Sequence, residues 1–102
     1  MTVPKIIWML WLQGFNSAPP LVEVCIKSWE RHNPDWSLRL LTQENVREHL
    51  DAEFCDDLFS TNLSPQKTAN IIRLELIARY GGVWVDSDCF CTCSLDSWIQ
   101  EA

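Results

Sequence analysis

The stretch Tyr80-Gly81-Gly82-Val83-Trp84-Val85-Asp86-Ser87-Asp88 decides how this chain is read. Val83, Trp84 and Val85 are strand formers. Gly82 permits a reversal just before them, and Gly81 falls where a left-handed helix cap belongs. Upstream, Ser64 is a good N-cap, and Pro65 takes the first helical position, where a missing N–H costs nothing. Ala69, Ile72, Leu76, Ile77 and Tyr80 recur at helical spacing and form one apolar stripe. The segment reads as helix, glycine pair and strand, followed by two carboxylates separated by one small residue.

Those two carboxylates carry the chemistry. In an extended chain Asp86 and Asp88 would point the same way, with Cα atoms roughly 6.5 Å apart. Two acids so placed repel each other unless a cation sits beside them. Oxygen ligands of this kind suit magnesium, calcium or manganese. Such an ion would hold a diphosphate and neutralise charge on a departing nucleotide. A bare Asp-x-Asp is most often an acidic turn after a strand, so its surroundings decide.

Residues 5–12 read as a buried strand, with Ile7, Met9 and Trp11 on one face and Ile6, Trp8 and Leu10 on the other. Apolar side chains on both faces suit the centre of an α/β sheet. Residues 13–17 then form a loop at the edge where open α/β sheets bind ligands. Pro19-Pro20 opens a helix with Leu21, Val24, Cys25, Ser28 and Trp29 as its inward stripe, and Asn33-Pro34 ends it. Residues 36–41 alternate as a second strand. Thr42 caps a short helix with Val46 and Leu50 as apolar contacts. Residues 51–59 form another, with Phe54, Leu58 and Phe59 inward. Beyond Asp88, residues 90–92 suggest a further strand, and Ser94-Leu95-Asp96-Ser97-Trp98 a helix start. The order of elements is that of an α/β protein.

The net charge of −6 leaves no basic stripe for nucleic acid and argues against an acidic membrane surface. An anionic nucleotide would need a bound cation to reverse the local field. The five cysteines include Cys89, Cys91 and Cys93, which would share one face of an extended segment. No histidine or second cysteine pair lies at a familiar ligand spacing, so reduced thiols are favoured over a metal site. Free thiols suit a cytoplasmic location. The apolar run at residues 6–12 is too short to span a bilayer and lacks a signal-peptide cleavage pattern. Of six tryptophans, some should be core and one or two a platform for a flat ligand. His32 and His49 are given no role.

The run from Lys67-Thr68-Ala69-Asn70-Ile71-Ile72-Arg73 through Asp86-Ser87-Asp88 resembles the DXD-containing sugar transferases. Among them it is most similar to the bacterial capsular polysaccharide synthesis proteins. Val3-Pro4-Lys5-Ile6-Ile7-Trp8 through Trp11, Ser28-Trp29, Asn33-Pro34-Asp35-Trp36 and Ser94-Leu95-Asp96-Ser97-Trp98 match the same pattern in the same order. The resemblance implies a GT-A-like, Rossmann-like α/β fold whose mixed or mostly parallel sheet is flanked by helices. Residues 1–102 would be its nucleotide-sugar-binding half, incomplete at the C-terminus.

The resemblance also implies a metal-dependent glycosyltransferase that retains anomeric configuration. Its cofactor would be manganese or magnesium, its donor a UDP-sugar and its acceptor a saccharide or polysaccharide. Asp88 would ligate the metal, and Asp86 would contact metal-bound water or ribose. Ser87 is counted with them at the donor. Arg73 and Asn70 would hold the sugar, and Trp11 would stack on the base. The family usually has aspartate where this chain has Asn70; an amide still hydrogen-bonds a hydroxyl but brings no charge. The plainer alternatives are a snorkelling surface arginine for Arg73 and a core tryptophan for Trp11.

Two other functions compete. Haloacid-dehalogenase-like phosphatases also place Asp-x-Asp after a strand, but they want Thr or Val where Phe90 stands, and they carry the motif early in the fold. The other is a truncated or non-catalytic remnant of the transferase. A half-domain would leave a sheet edge and a helix face bare, favouring self-association. It would also lack the groups that align an acceptor hydroxyl, so the chain alone is expected not to transfer sugar.

Overall fold

Because β1 (Ile6–Leu10) is apolar on both faces, it needs cover on both sides and neighbours on both edges. The computed structural model, which describes residues 3–97, places it at the centre of a parallel sheet ordered β2-β1-β3. β2 (Ser37–Leu41) pairs with it from Ile6 opposite Ser37 to Leu10 opposite Leu41. β3 (Val83–Trp84) pairs Val83 with Ile7 and Trp84 with Trp8. The helices are α1 (Pro20–His32), α2 (Ala52–Ser60) and α3 (Pro65–Tyr80). Short 3-10 turns occupy Phe15–Ser17, Asn45–Glu48 and Leu95–Ser97.

The parity of β1 divides the core. Trp8 packs with Leu41, Val46, Leu50, Cys55, Leu58, Ile72 and Leu76, beneath α2 and α3. Ile7 and Met9 pack with Trp36, Val85 and Leu95, with Ile26 and Trp29 of α1 alongside. Helices therefore cover both faces of the sheet, as in open α/β folds.

Trp8 explains the glycine pair. It is fully buried, and its Nε1–H donates to the Gly81 carbonyl at 2.9 Å. His49 meets the ring edge-on and Tyr80 leans against it. The chain leaving α3 therefore has to pass directly over β1. Gly82 does so at φ +98°, and a Cβ there would lie 2.7 Å from the Ile6 carbonyl oxygen. At the other end of α3 the Ser64 hydroxyl caps the helix by accepting from Lys67 N–H at 3.2 Å.

Four local expectations are corrected. The buried stripe of α1 is Val22, Cys25 and Ser28, whereas Leu21 and Val24 are 59% and 51% exposed. With Pro20 as the first residue, positions 22 and 25 face the sheet, and positions 21 and 24 lie about 100° round the helix. Residues 90–92 form no strand, because Cys91 is tied to α1 rather than to a strand edge. The element after Thr42 is a 3-10 turn, fixed by reciprocal bonds between Thr42 and Asn45. The helix start at Ser94 is only the turn Leu95–Ser97, and Trp98 lies outside the described residues.

No helix among the described residues is long and apolar enough to cross a membrane.

Candidate functional site

In this sheet the chain steps from β1 to β2 on one side and returns to β3 on the other. The C-terminal ends of β1 and β3 therefore flank a topological switch point, where open α/β sheets bind their ligands. Asp86, Ser87 and Asp88 follow β3 at that point, and Trp11 follows β1.

The Asp-x-Asp segment is a turn and not the extended strand end that its spacing suggests. Val85 N–H donates to the Trp8 carbonyl at 2.9 Å, and Cys89 N–H returns to the Asp86 carbonyl at 3.0 Å. Ser87 is buried, and its Oγ donates to the Leu10 carbonyl at 2.8 Å, the last residue of β1. The middle residue thus anchors the turn, while Asp86 and Asp88 are both exposed.

Among the described residues, neither carboxylate forms an ion pair or accepts a side-chain hydrogen bond. Two unneutralised hard-oxygen donors on one turn suit magnesium or manganese. Such ions take one or two carboxylates from the protein and fill the remaining positions with phosphate oxygens and water. The described residues contain no cluster of three or more His, Cys, Asp or Glu side chains that would cage an ion by themselves. The donor set thus fits an ion shared with a diphosphate.

Arg73 of α3 and Asp86 line one cavity of about 330 Å³, together with Trp29, Trp84 and Cys89. Trp11 is half-buried and lines a separate cleft of about 320 Å³ with Pro65, Gln66 and Ala69 at the start of α3. Ala69 and Arg73 are one helical turn apart, so the two clefts follow one another along α3. Asn70, exposed on the same helix, lies between these two positions in sequence. A larger cavity, about 720 Å³, opens beside the loops after β1 and β2 and is lined by Gln13, Phe15, Gln43 and Arg47 among others.

The cysteines do not line up. Cys91 is buried, Cys89 and Cys93 are exposed, and all five are free thiols. Burial pushes the Cys25 thiol up from its ordinary pKa, and the Asp88 carboxylate and Cys89 push it in the same direction. Cys25 therefore stays protonated and unreactive at neutral pH.

A seam of hydrogen bonds from α1 and its C-terminal loop is absent from the sequence reading. Trp29 Nε1–H donates to the Cys89 carbonyl at 2.8 Å. Ser28 Oγ accepts from Cys91 N–H at 2.8 Å, and Asn33 Oδ1 accepts from Leu95 N–H at 2.7 Å. Trp36 Nε1–H reaches Asp96 Oδ1 at 3.3 Å. Helical periodicity marks Ser28 and Trp29 as inward, and the family pattern includes all four residues, but neither signal says which groups they bond.

The fold and site define a parallel α/β domain with an acidic turn at its switch point. Comparison with known proteins goes further: residues 1–102 match the model of the capsular polysaccharide synthesis protein family, and the chain belongs to that family. It is 32% identical over 101 residues to the O-glycosyltransferase braB of Annulohypoxylon truncatum, covering 88% of this chain and 24% of that protein. It is 30% identical over 107 residues to the glycosyltransferase afumC of Aspergillus fumigatus, covering 94% and 27%. It is 29% identical over 107 residues to inositol phosphoceramide mannosyltransferase 3 of Schizosaccharomyces pombe, covering 97% and 30%. The chain thus spans roughly a quarter of the length of these relatives, all named as sugar transferases. No solved structure matches it significantly.

Proposed function

We propose that this chain is the donor-binding half of a metal-dependent glycosyltransferase, taking a nucleotide-sugar, with a UDP-sugar as the first candidate. One observation carries the reading: Asp86, on the turn that follows β3 at the switch point, shares a cavity with Arg73 beside that strand, and the turn's two carboxylates lack a cationic partner among the described residues. The naming of three relatives as glycosyltransferases supports it. The phosphatase alternative has no such support.

In this reading Asp88 ligates manganese or magnesium, and Asp86 contacts metal-bound water or the ribose. An ion held by these carboxylates would supply positive charge to a donor diphosphate. Arg73 adds a fixed positive charge in the same cavity, and Asn70 offers a neutral amide to a sugar hydroxyl. Trp11 offers its ring to the base from the neighbouring cleft. The acceptor is a saccharide or polysaccharide, in line with the family description, and the anomeric configuration is retained. The free thiols suit a cytoplasmic site of action.

Calorimetric titration of manganese, with and without UDP, tests the metal. Asp88→Asn should weaken metal-dependent nucleotide binding by about tenfold or more, since even outer partners of metal ligands are worth that much. Equal binding by the parent and Asp88→Asn would overturn the proposal. Product stereochemistry by NMR, in the complete enzyme, reads retention against inversion.

A further inference from the structure

We infer that Trp29 and Ser87 are positioning residues that fix the Asp86–Asp88 turn from two sides, so that its carboxylates meet a cation without rearranging. The inference rests on the reading of Asp86 and Asp88 as the cation-binding pair. It assigns a role to an α1 tryptophan that touches neither carboxylate in any hydrogen bond.

The geometry is that of a clamp. Val85, just before the turn, is tied to β1 through the Trp8 carbonyl. Ser87, inside the turn, is tied to β1 again through the Leu10 carbonyl at 2.8 Å. Cys89, which closes the turn, gives its N–H to Asp86 and its carbonyl to the Trp29 indole at 2.8 Å. Asp86 and Asp88 each therefore stand between two anchored residues. Their side chains are exposed, while the backbone beneath them is held from the sheet on one side and from α1 on the other.

Clamping of this kind matters for this pair. Two like charges on an exposed turn repel, and a loose turn would let them separate when no cation is bound. Holding the backbone removes that freedom in advance, so less ordering is left for the binding step. The indole N–H is the specific element. A phenylalanine would fill much of the same half-buried space against the core cluster that contains Val85 and Leu95, but it would leave the Cys89 carbonyl to water. Farther along, Ser28 and Asn33 continue the same seam onto Cys91 and Leu95. The strand-end anchor thus acts on the middle of one three-residue motif, and the α1 anchor on the residue just after it.

The test compares parent, Asp88→Asn, Trp29→Phe and Ser87→Ala, each as the full chain. UDP affinity is measured by calorimetry with and without manganese, and each variant is melted by circular dichroism. The diagnostic quantity is the ratio of the two affinities in folded protein, which a purely structural loss does not move. Trp29→Phe and Ser87→Ala should each reduce the manganese-dependent gain about three- to tenfold, the scale of one lost hydrogen bond. If Asp88→Asn abolishes the gain while Trp29→Phe and Ser87→Ala keep the parent's ratio, the clamp is refuted and the cation site stands. If Asp88→Asn keeps the gain, the cation site itself fails and the clamp with it.

Discussion

Gly82→Ala tests the contact that sets the position of the acidic turn. Gly82 sits at φ +98°, a backbone region that side-chain-bearing residues rarely enter. A Cβ there would also stand 2.7 Å from the Ile6 carbonyl oxygen and 3.0 Å from Ile6 Cβ. Gly14 makes a matched control, with φ +96° and nothing within 4 Å of its added Cβ. Gly14→Ala should therefore show the conformational cost alone, about 1–3 kcal/mol. Gly82→Ala should show that cost plus a collision with central-strand backbone, about another 1–3 kcal/mol. The sum, about 2–6 kcal/mol, is a large part of the roughly 5–15 kcal/mol that holds a typical domain folded. Urea unfolding followed by tryptophan fluorescence measures both, since Trp8 Nε1 would lie 3.2 Å from the new methyl. If Gly82→Ala costs no more than Gly14→Ala, β3 does not depend on close approach to β1, and the reasoning is wrong.

Three further outcomes follow from the same structure. Trp11→Ala should weaken nucleotide binding by about 1–3 kcal/mol with a small melting shift, because the ring is half-buried at a cleft; a large melting loss at unchanged affinity would make it core. Thiol titration of the folded chain should show Cys89 and Cys93 reacting fast and Cys25, Cys55 and Cys91 reacting only on unfolding, and fast modification of Cys25 would contradict its burial. Burial, then the Arg39 charge, lowers the His49 pKa against a smaller opposing effect of Glu48, so its contribution to stability holds above about pH 6.5 and is lost as pH falls below it. His49→Gln should flatten that part of the stability profile, and an unchanged profile would show that His49 does not titrate with folding.

The fold is legible wherever a residue pattern meets a regular backbone. Apolar residues on both faces of residues 6–10 place that strand at the centre, and β1 is central. Ser64, Pro65 and the glycine pair mark the ends of α3, and the helix runs Pro65–Tyr80. Leu21 and Val24 mislead because an apolar count on a short helix does not say which side meets the sheet. That side depends on how α1 crosses the sheet, and here it selects Val22 and Cys25. The strand read at residues 90–92 fails for a related reason. Phe90 and Thr92 are strand formers, yet Ser28 takes the Cys91 N–H that a neighbouring strand would need.

The candidate site is read from its charges, while its supports are hidden in the sequence. Asp86 and Asp88 stand out by their spacing after a strand, and Arg73 by its place in the family pattern; Asp86 and Arg73 line one cavity. Ser87 reads as a small spacer counted with the donor residues. Its role appears once the chain has brought it to a carbonyl 77 residues away. Trp29 is harder still, because its partner is the carbonyl of a residue 60 positions later, and a backbone carbonyl has no sequence identity. A bond from side chain to backbone leaves its mark on one partner only. Periodicity can therefore mark Trp29 as inward without saying where its N–H ends. Residues that hold an acidic turn by such bonds look like ordinary core or ordinary spacer, and substitutions that keep their shape while removing the donor separate the two roles.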